Sequence, residues 1–198
     1  MKRYTLSWMT GCWMLAAVLP ASAQLSLSLQ PSTSTVSLGG STFVDIMVSG
    51  ISTGMAPPIG LAAFAVELNY DAVQVLPTAV SYGTQLGTTI DFDTLAPTPL
   101  FVSSTSLEAA GFFASQPDSF RLATLTFQGL SLGTSALTFG LGTSLSDENG
   151  LSIPFSANGG RIEVVPEPGQ IACMAVMLTA TGGFTLFRRL RRQQSVAA

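Results

Sequence analysis

The chain has 198 residues, eleven acids against eight bases for a net charge of −3, and no histidine. The missing imidazole removes the commonest general base near neutral pH and the commonest zinc ligand, so Ser-His-Asp and Cys-His catalysis are excluded within the chain. Six of the eight bases lie at the two ends, leaving a middle whose only bases are Arg121 and Arg161; such an acidic body repels nucleic-acid phosphates.

At the start, Lys2 and Arg3 precede a largely apolar stretch from Leu6 to Leu19 and then Pro20-Ala21-Ser22-Ala23. That order of charge, apolar run and small residues predicts a secretory signal peptide over residues 1–23, with Ala21 and Ala23 forming the A-x-A cleavage site. Both tryptophans, Trp8 and Trp13, fall in it, and so does Cys12; the other cysteine, Cys173, lies near the opposite end. The segment between, residues 24–165, is the size of one domain with its own core and carries no disulfide, although the compartment is oxidising.

Leu25 to Leu29 alternates Leu and Ser, the period of two that marks a half-buried strand. Thr35 to Leu38, the Gly39-Gly40 turn and Thr42 to Val48 then read as strand, turn and strand, with Val44, Ile46 and Val48 on one face. Adjacent Pro57 and Pro58 make Gly50 to Gly60 a loop. In Leu61 to Tyr70, Phe64, Val66, Leu68 and Tyr70 share one face and Glu67 and Asn69 the other, which predicts the centre of the core. A short apolar piece, Val73 to Leu76, is expected to end at Pro77. Weaker patterning predicts strands at Thr89 to Phe92, Leu100 to Ser103 and Gly111 to Ala114. Phe120 to Phe127 is apolar on both faces, as a central strand is. Ala136 to Leu141 and Leu151 to Phe155 bracket Ser146-Asp147-Glu148-Asn149-Gly150, whose Asn-Gly step signals a tight turn. Arg161 to Val165 reads as a last strand with Ile162 and Val164 inward. Short strands without sustained helical periodicity predict an all-β sandwich.

Carboxylates are the remaining candidates for chemistry. Asp91 and Asp93 would share a strand face about 6.5–7 Å apart, a separation that overlaps the inverting-glycosidase range, although alternate acids on a polar face are usually just solvated. Asp147-Glu148-Asn149-Gly150 offers too few oxygens for Ca²⁺ and lacks the EF-hand pattern, so a plain turn is expected there and no metal site. Tyr82, if exposed, could stack on a sugar ring; without tryptophan, core or rim packing is the commoner role.

After Val165 come Pro166-Glu167-Pro168, an apolar run over residues 171–187 and the cluster Arg188, Arg189, Arg191 and Arg192. As a helix the run would be roughly 25 Å long, close to the lower limit for crossing a hydrocarbon core about 30 Å thick. Nothing in it is ionisable, and the arginines after it should stay on the cytoplasmic side, placing the preceding domain outside the inner membrane. The two prolines keep their segment extended and open to a protease.

Two resemblances follow. The ordered Pro-Glu-Pro, apolar run and arginine cluster resemble a PEP-CTERM sorting signal over residues 166–192. This likeness implies recognition by an exosortase, which cuts near the Pro-Glu-Pro and delivers the domain from the periplasmic side of the inner membrane to the cell surface or exopolysaccharide matrix. Val36-Ser37-Leu38-Gly39-Gly40 before the strand Phe43 to Val48, then Phe64-Ala65-Val66-Glu67-Leu68-Asn69-Tyr70-Asp71 and Leu122-Ala123-Thr124-Leu125-Thr126-Phe127, resemble a cohesin domain. That likeness implies a jelly-roll sandwich of about nine strands, similar to carbohydrate-binding modules. A domain without catalytic equipment between two targeting signals predicts a non-enzymatic structural or adhesive interaction module with no cofactor. The expected partners are a dockerin-like protein or, in the alternative reading, a polysaccharide.

Overall fold

Between Leu25 and Val165 the period-two patterning becomes twelve strands in two packed sheets, in a computed structural model that describes residues 25–51, 60–95, 98–109, 111–167 and 169. In chain order the strands are β1 (Leu25–Pro31), β2 (Thr35–Ser37), β3 (Ser41–Ser49), β4 (Leu61–Asn69), β5 (Val75–Tyr82) and β6 (Thr89–Thr94), followed by β7 (Leu100–Ser106), β8 (Ser119–Gly129), β9 (Gly133–Phe139), β10 (Ser144–Asp147), β11 (Phe155–Asn158) and β12 (Gly160–Val165). The first sheet has the order β11-β1-β3-β8-β5; the second has β2-β12-β9-β4-β7-β6, with β10 also paired to β4. The expected signal peptide with Ala21 and Ala23, Pro168, the apolar run 171–187 and the four terminal arginines lie outside the described residues. Among the described residues no helix is long and apolar enough to cross a membrane.

The core lies between the sheets and comes from alternate residues of each. Leu27, Ile46, Leu125 and Phe127 enter from the first sheet and Val66, Leu68, Leu137 and Ile162 from the second, all fully buried. On β4, Phe64, Val66 and Leu68 face inward as expected, and burying three such side chains contributes about 5–9 kcal/mol before conformational entropy is charged. Ile162 and Val164 of β12 are buried too.

Twelve strands stand where about nine were expected because three long strands are broken. Residues 32–34 carry the chain from β1 in one sheet to β2 in the other. Gly159 does the same between β11 and β12, where a Cβ would lie 2.4 Å from the Leu137 carbonyl oxygen. Between β9 and β10, residues 140–143 leave the ladder, and Glu67 fills the gap. Its main-chain carbonyl accepts from the Gly140 N–H at 2.8 Å and its Oε2 from the Gly142 N–H at 2.8 Å.

Four local expectations are corrected. Gly111 to Ala114 is not a strand: Gly111 takes φ +100° and a 3₁₀ turn, Phe112–Ser115, seats Phe113 against Gly60, leaving no ladder partner. Pro77 does not end its segment, because β5 is an edge strand that shifts register between Pro77 and Ala79, the kind of place where proline is tolerated. Leu151 to Phe155 makes only an isolated bridge, Ser146 to Ser152, before β11 begins. The turn reading of Ser146 to Gly150 holds only in part, since Ser146 and Asp147 belong to β10.

Candidate interaction face

Strand β6 ends the second sheet, and its alternation is inverted relative to an ordinary edge. Ile90 and Phe92 point outward, 63% and 60% exposed. Its acids sit on the opposite side: the register sets Asp91 beside Ser104 and Asp93 beside Val102, both buried positions of β7. On the outer face Phe92 meets Phe101 with ring centroids 6.3 Å apart. The next strand continues that face with Ala63, Ala65 and Glu67 opposite Thr105, Ser103 and Phe101. Ile90, Phe92 and Phe101 thus form an apolar platform beside small and hydroxyl-bearing residues. Exposed apolar groups that are contiguous, rather than scattered singly, mark interaction surfaces.

Glu67 is the acid on this stretch of β4, and it is held in place. Besides the two contacts to the β9–β10 break, its N–H donates to the Thr143 hydroxyl at 3.2 Å. Farther along the same face, Asn69, Tyr70, Asp71, Thr98, Thr134 and Thr138 line an open concavity of about 680 Å³. Its one ring, Tyr70, packs edge-on to Phe127 and donates its hydroxyl to the Leu95 carbonyl at 3.3 Å, so it offers no free platform for a sugar.

The acids of β6 are brought together with Tyr82 rather than with each other across a cleft. Asp91 accepts from the Ser104 hydroxyl at 2.6 Å and Asp93 from the Tyr82 hydroxyl at 3.5 Å. Tyr82, on the edge strand of the first sheet, packs against Phe64 at 6.5 Å and closes the seam between the two sheets. Burial pushes the Tyr82 phenol well above its ordinary pKa, and the negative charges of Asp93 and Asp91 and the hydrogen bond to Asp93 add to this. The pair has the geometry of inward-pointing charges on an edge strand, a device that discourages edge-to-edge pairing between copies. Tyr82 does not stand out as a stacking surface.

Asp147 is buried, and its Oδ1 accepts from the Asn149 and Leu151 N–H groups, each at 2.8 Å. That oxygen ties the turn, and no group of three or more His, Cys, Asp or Glu side chains able to hold a metal occurs among the described residues. Pro166 and Glu167 follow β12 directly, outside any strand, with Glu167 exposed. Ile90, Phe92 and Phe101 carry no mark of their own that would single them out before the fold is known. The usable signal was the alternation Ile90-Asp91-Phe92-Asp93, whose inward and outward sides only the sheet order decides.

The fold is a cohesin-like jelly-roll sandwich. The chain matches no protein-family model and no curated protein. Among solved structures it is similar to a non-cellulosomal cohesin from Archaeoglobus fulgidus, with TM-score 0.57 and 14% identity over 76% of this chain and 97% of that one. It is also similar to a chain from a type II cohesin-X-dockerin complex of Acetivibrio cellulolyticus, with TM-score 0.60 and 14% identity over 72% and 100%. A chain from a type I cohesin-dockerin complex of Clostridium thermocellum gives TM-score 0.56 and 11% identity over 72% and 99%. At these identities the likeness is one of fold.

Proposed function

We propose that this protein is a non-enzymatic, exported protein-interaction module whose partner docks on the outer face of β6, β7 and β4. The observation that carries this reading is the platform of Ile90, Phe92 and Phe101. Two of the similar structures are of cohesin-dockerin complexes, which makes a dockerin-like protein the first partner to test. Envelope extract from the source cells, passed over the immobilised domain and over its Phe92→Asp variant, is the test. Proteins retained by the wild type and lost by the variant are expected; identical sets would remove the reading.

The two ends supply the address. Residues 1–23 direct export, with cleavage after Ala23. Residues 166–192 hold the chain in the inner membrane, its domain in the periplasm, until an exosortase cuts near Pro166, Glu167 and Pro168 and passes it to the cell surface or matrix. The support for this is the sequence pattern, together with a last strand that ends at Val165, directly before the Pro-Glu-Pro. Mass spectrometry of cell-surface material should find a product ending near Pro166, whereas full-length protein confined to the inner membrane counts against processing.

A further inference from the structure

Val165, where the chain leaves the sandwich, is knit into one cluster of loops. Its carbonyl accepts from the Leu38 N–H at 3.0 Å, and the Gly39 N–H donates to the Gly129 carbonyl at 2.8 Å. Beside them the Leu130 N–H donates to the Gln74 carbonyl at 2.8 Å and the Ser131 hydroxyl to the Val73 carbonyl at 2.7 Å. The register Val164 to Gly133 sets the β8–β9 loop next to the exit point. Three apolar side chains protrude from these loops: Val73, Leu130 and Leu132, exposed by 74%, 44% and 54%. The loops contain no Lys or Arg, and their one acid, Asp71, accepts from the Val73 N–H at 2.9 Å.

From Val165 the chain has only Pro166 to Gln170 before the apolar run begins at Ile171. Five residues reach at most about 18 Å even when fully extended. The headgroup layer on each side of the hydrocarbon core is itself about 5–7 Å thick. An anchored sandwich must therefore hold its exit end close to the bilayer, and that is the end from which these three side chains protrude.

We propose that Val73, Leu130 and Leu132 rest in the headgroup boundary of the membrane while the tail is anchored. The contact rests on the reading of residues 171–187 as a membrane run. With no base in the loops the contact is apolar and indifferent to lipid charge, unlike a basic interfacial helix. The strands then stand on end, and the face carrying Phe92 turns sideways, open to a partner.

The test uses residues 24–198, the chain left once the apolar leader is cleaved; both tryptophans go with the leader, so that a reporter is the only one. Leu132→Trp and, separately, Val73→Trp place it at the exit end; Leu151→Trp, beside Asp147, places it at the far end. Each protein is mixed with phosphatidylcholine vesicles carrying brominated acyl chains, and flotation is compared with a form lacking residues 171–198. Flotation that depends on the tail, with quenching of the two exit-end reporters and none at Leu151→Trp, is expected, and it should persist when anionic lipid is added. If flotation does not depend on residues 171–198, the reading of the tail falls and takes the contact with it. If the tail anchors but both exit-end reporters stay unquenched, the contact alone falls. A dimer of the vesicle-free protein that Leu132→Asp dissolves would assign these side chains to a second copy and overturn the lipid contact.

Discussion

Gln116 does the work of a missing strand. At Leu61, the start of β4, the neighbouring ladder to β7 has not yet begun. The Gln116 amide takes its place: Oε1 accepts from the Leu61 N–H at 2.7 Å and Nε2 donates to the Leu61 carbonyl at 2.8 Å. Leu61 is fully buried, so truncation strands two main-chain groups away from solvent. Gln116→Ala should cost about 1–3 kcal/mol, seen as a drop in melting temperature of roughly 3–10 °C. Gln30→Ala, at an exposed residue whose amide reaches only Ser28 at 3.4 Å, should change stability by less than about 0.5 kcal/mol. Equal effects from the two would deny Gln116 its role. Nothing near Gln116 in the sequence announces this, because the group it serves is 55 residues away.

Edge strands decide what the sequence could tell. On β4 and β12 one face is buried, so the apolar period of two names the inward residues directly. On β6 residues 90–94 are all exposed, so the same alternation does not say which side faces the seam. The 3₁₀ turn at Phe112–Ser115 was illegible for another reason: Phe113 is held by Gly60, distant in sequence, while Phe112 beside it stays exposed. The seam between β5 and β6 carries a pH signature. Burial first, then Asp93 and Asp91, hold the Tyr82 phenol protonated above its ordinary pKa of 10.0, and burial raises Tyr70 as well. The folded state therefore keeps protons that the unfolded chain releases. Stability is untouched below the ordinary value and falls as pH rises above it towards the folded pKa. Denaturant melts on either side of pH 10 should show this loss, and Tyr82→Phe should make it shallower; an unchanged slope would mean that Tyr82 titrates like a solvated phenol.

Seen as one molecule, the sandwich closes before its tail begins. Leu25 pairs in parallel with Phe155 at one end, and Val165 pairs in parallel with Ser37 at the other. Both ends of the sandwich, Leu25 and Val165, are thus stitched into sheets, and every buried apolar residue among the described residues lies between them. A fragment of residues 24–167 should therefore fold unaided, with a strand-type circular dichroism spectrum and one cooperative transition in the ordinary range of about 5–15 kcal/mol. Stopping after Gly159 should behave differently, because it removes Ile162 and Val164 from the core, leaves β2 without its partner in the sheet and leaves β9 only its short ladder to β4. That fragment should remain unfolded at neutral pH. The contrast bears on processing, since a cut near Pro166 then costs the domain no structure, whereas one six residues earlier destroys it. Matching melting temperatures for the 24–167 fragment and the full chain are expected. A fragment that needs the tail to fold, or that gives a helical spectrum, would mean that the region after Val165 belongs to the domain.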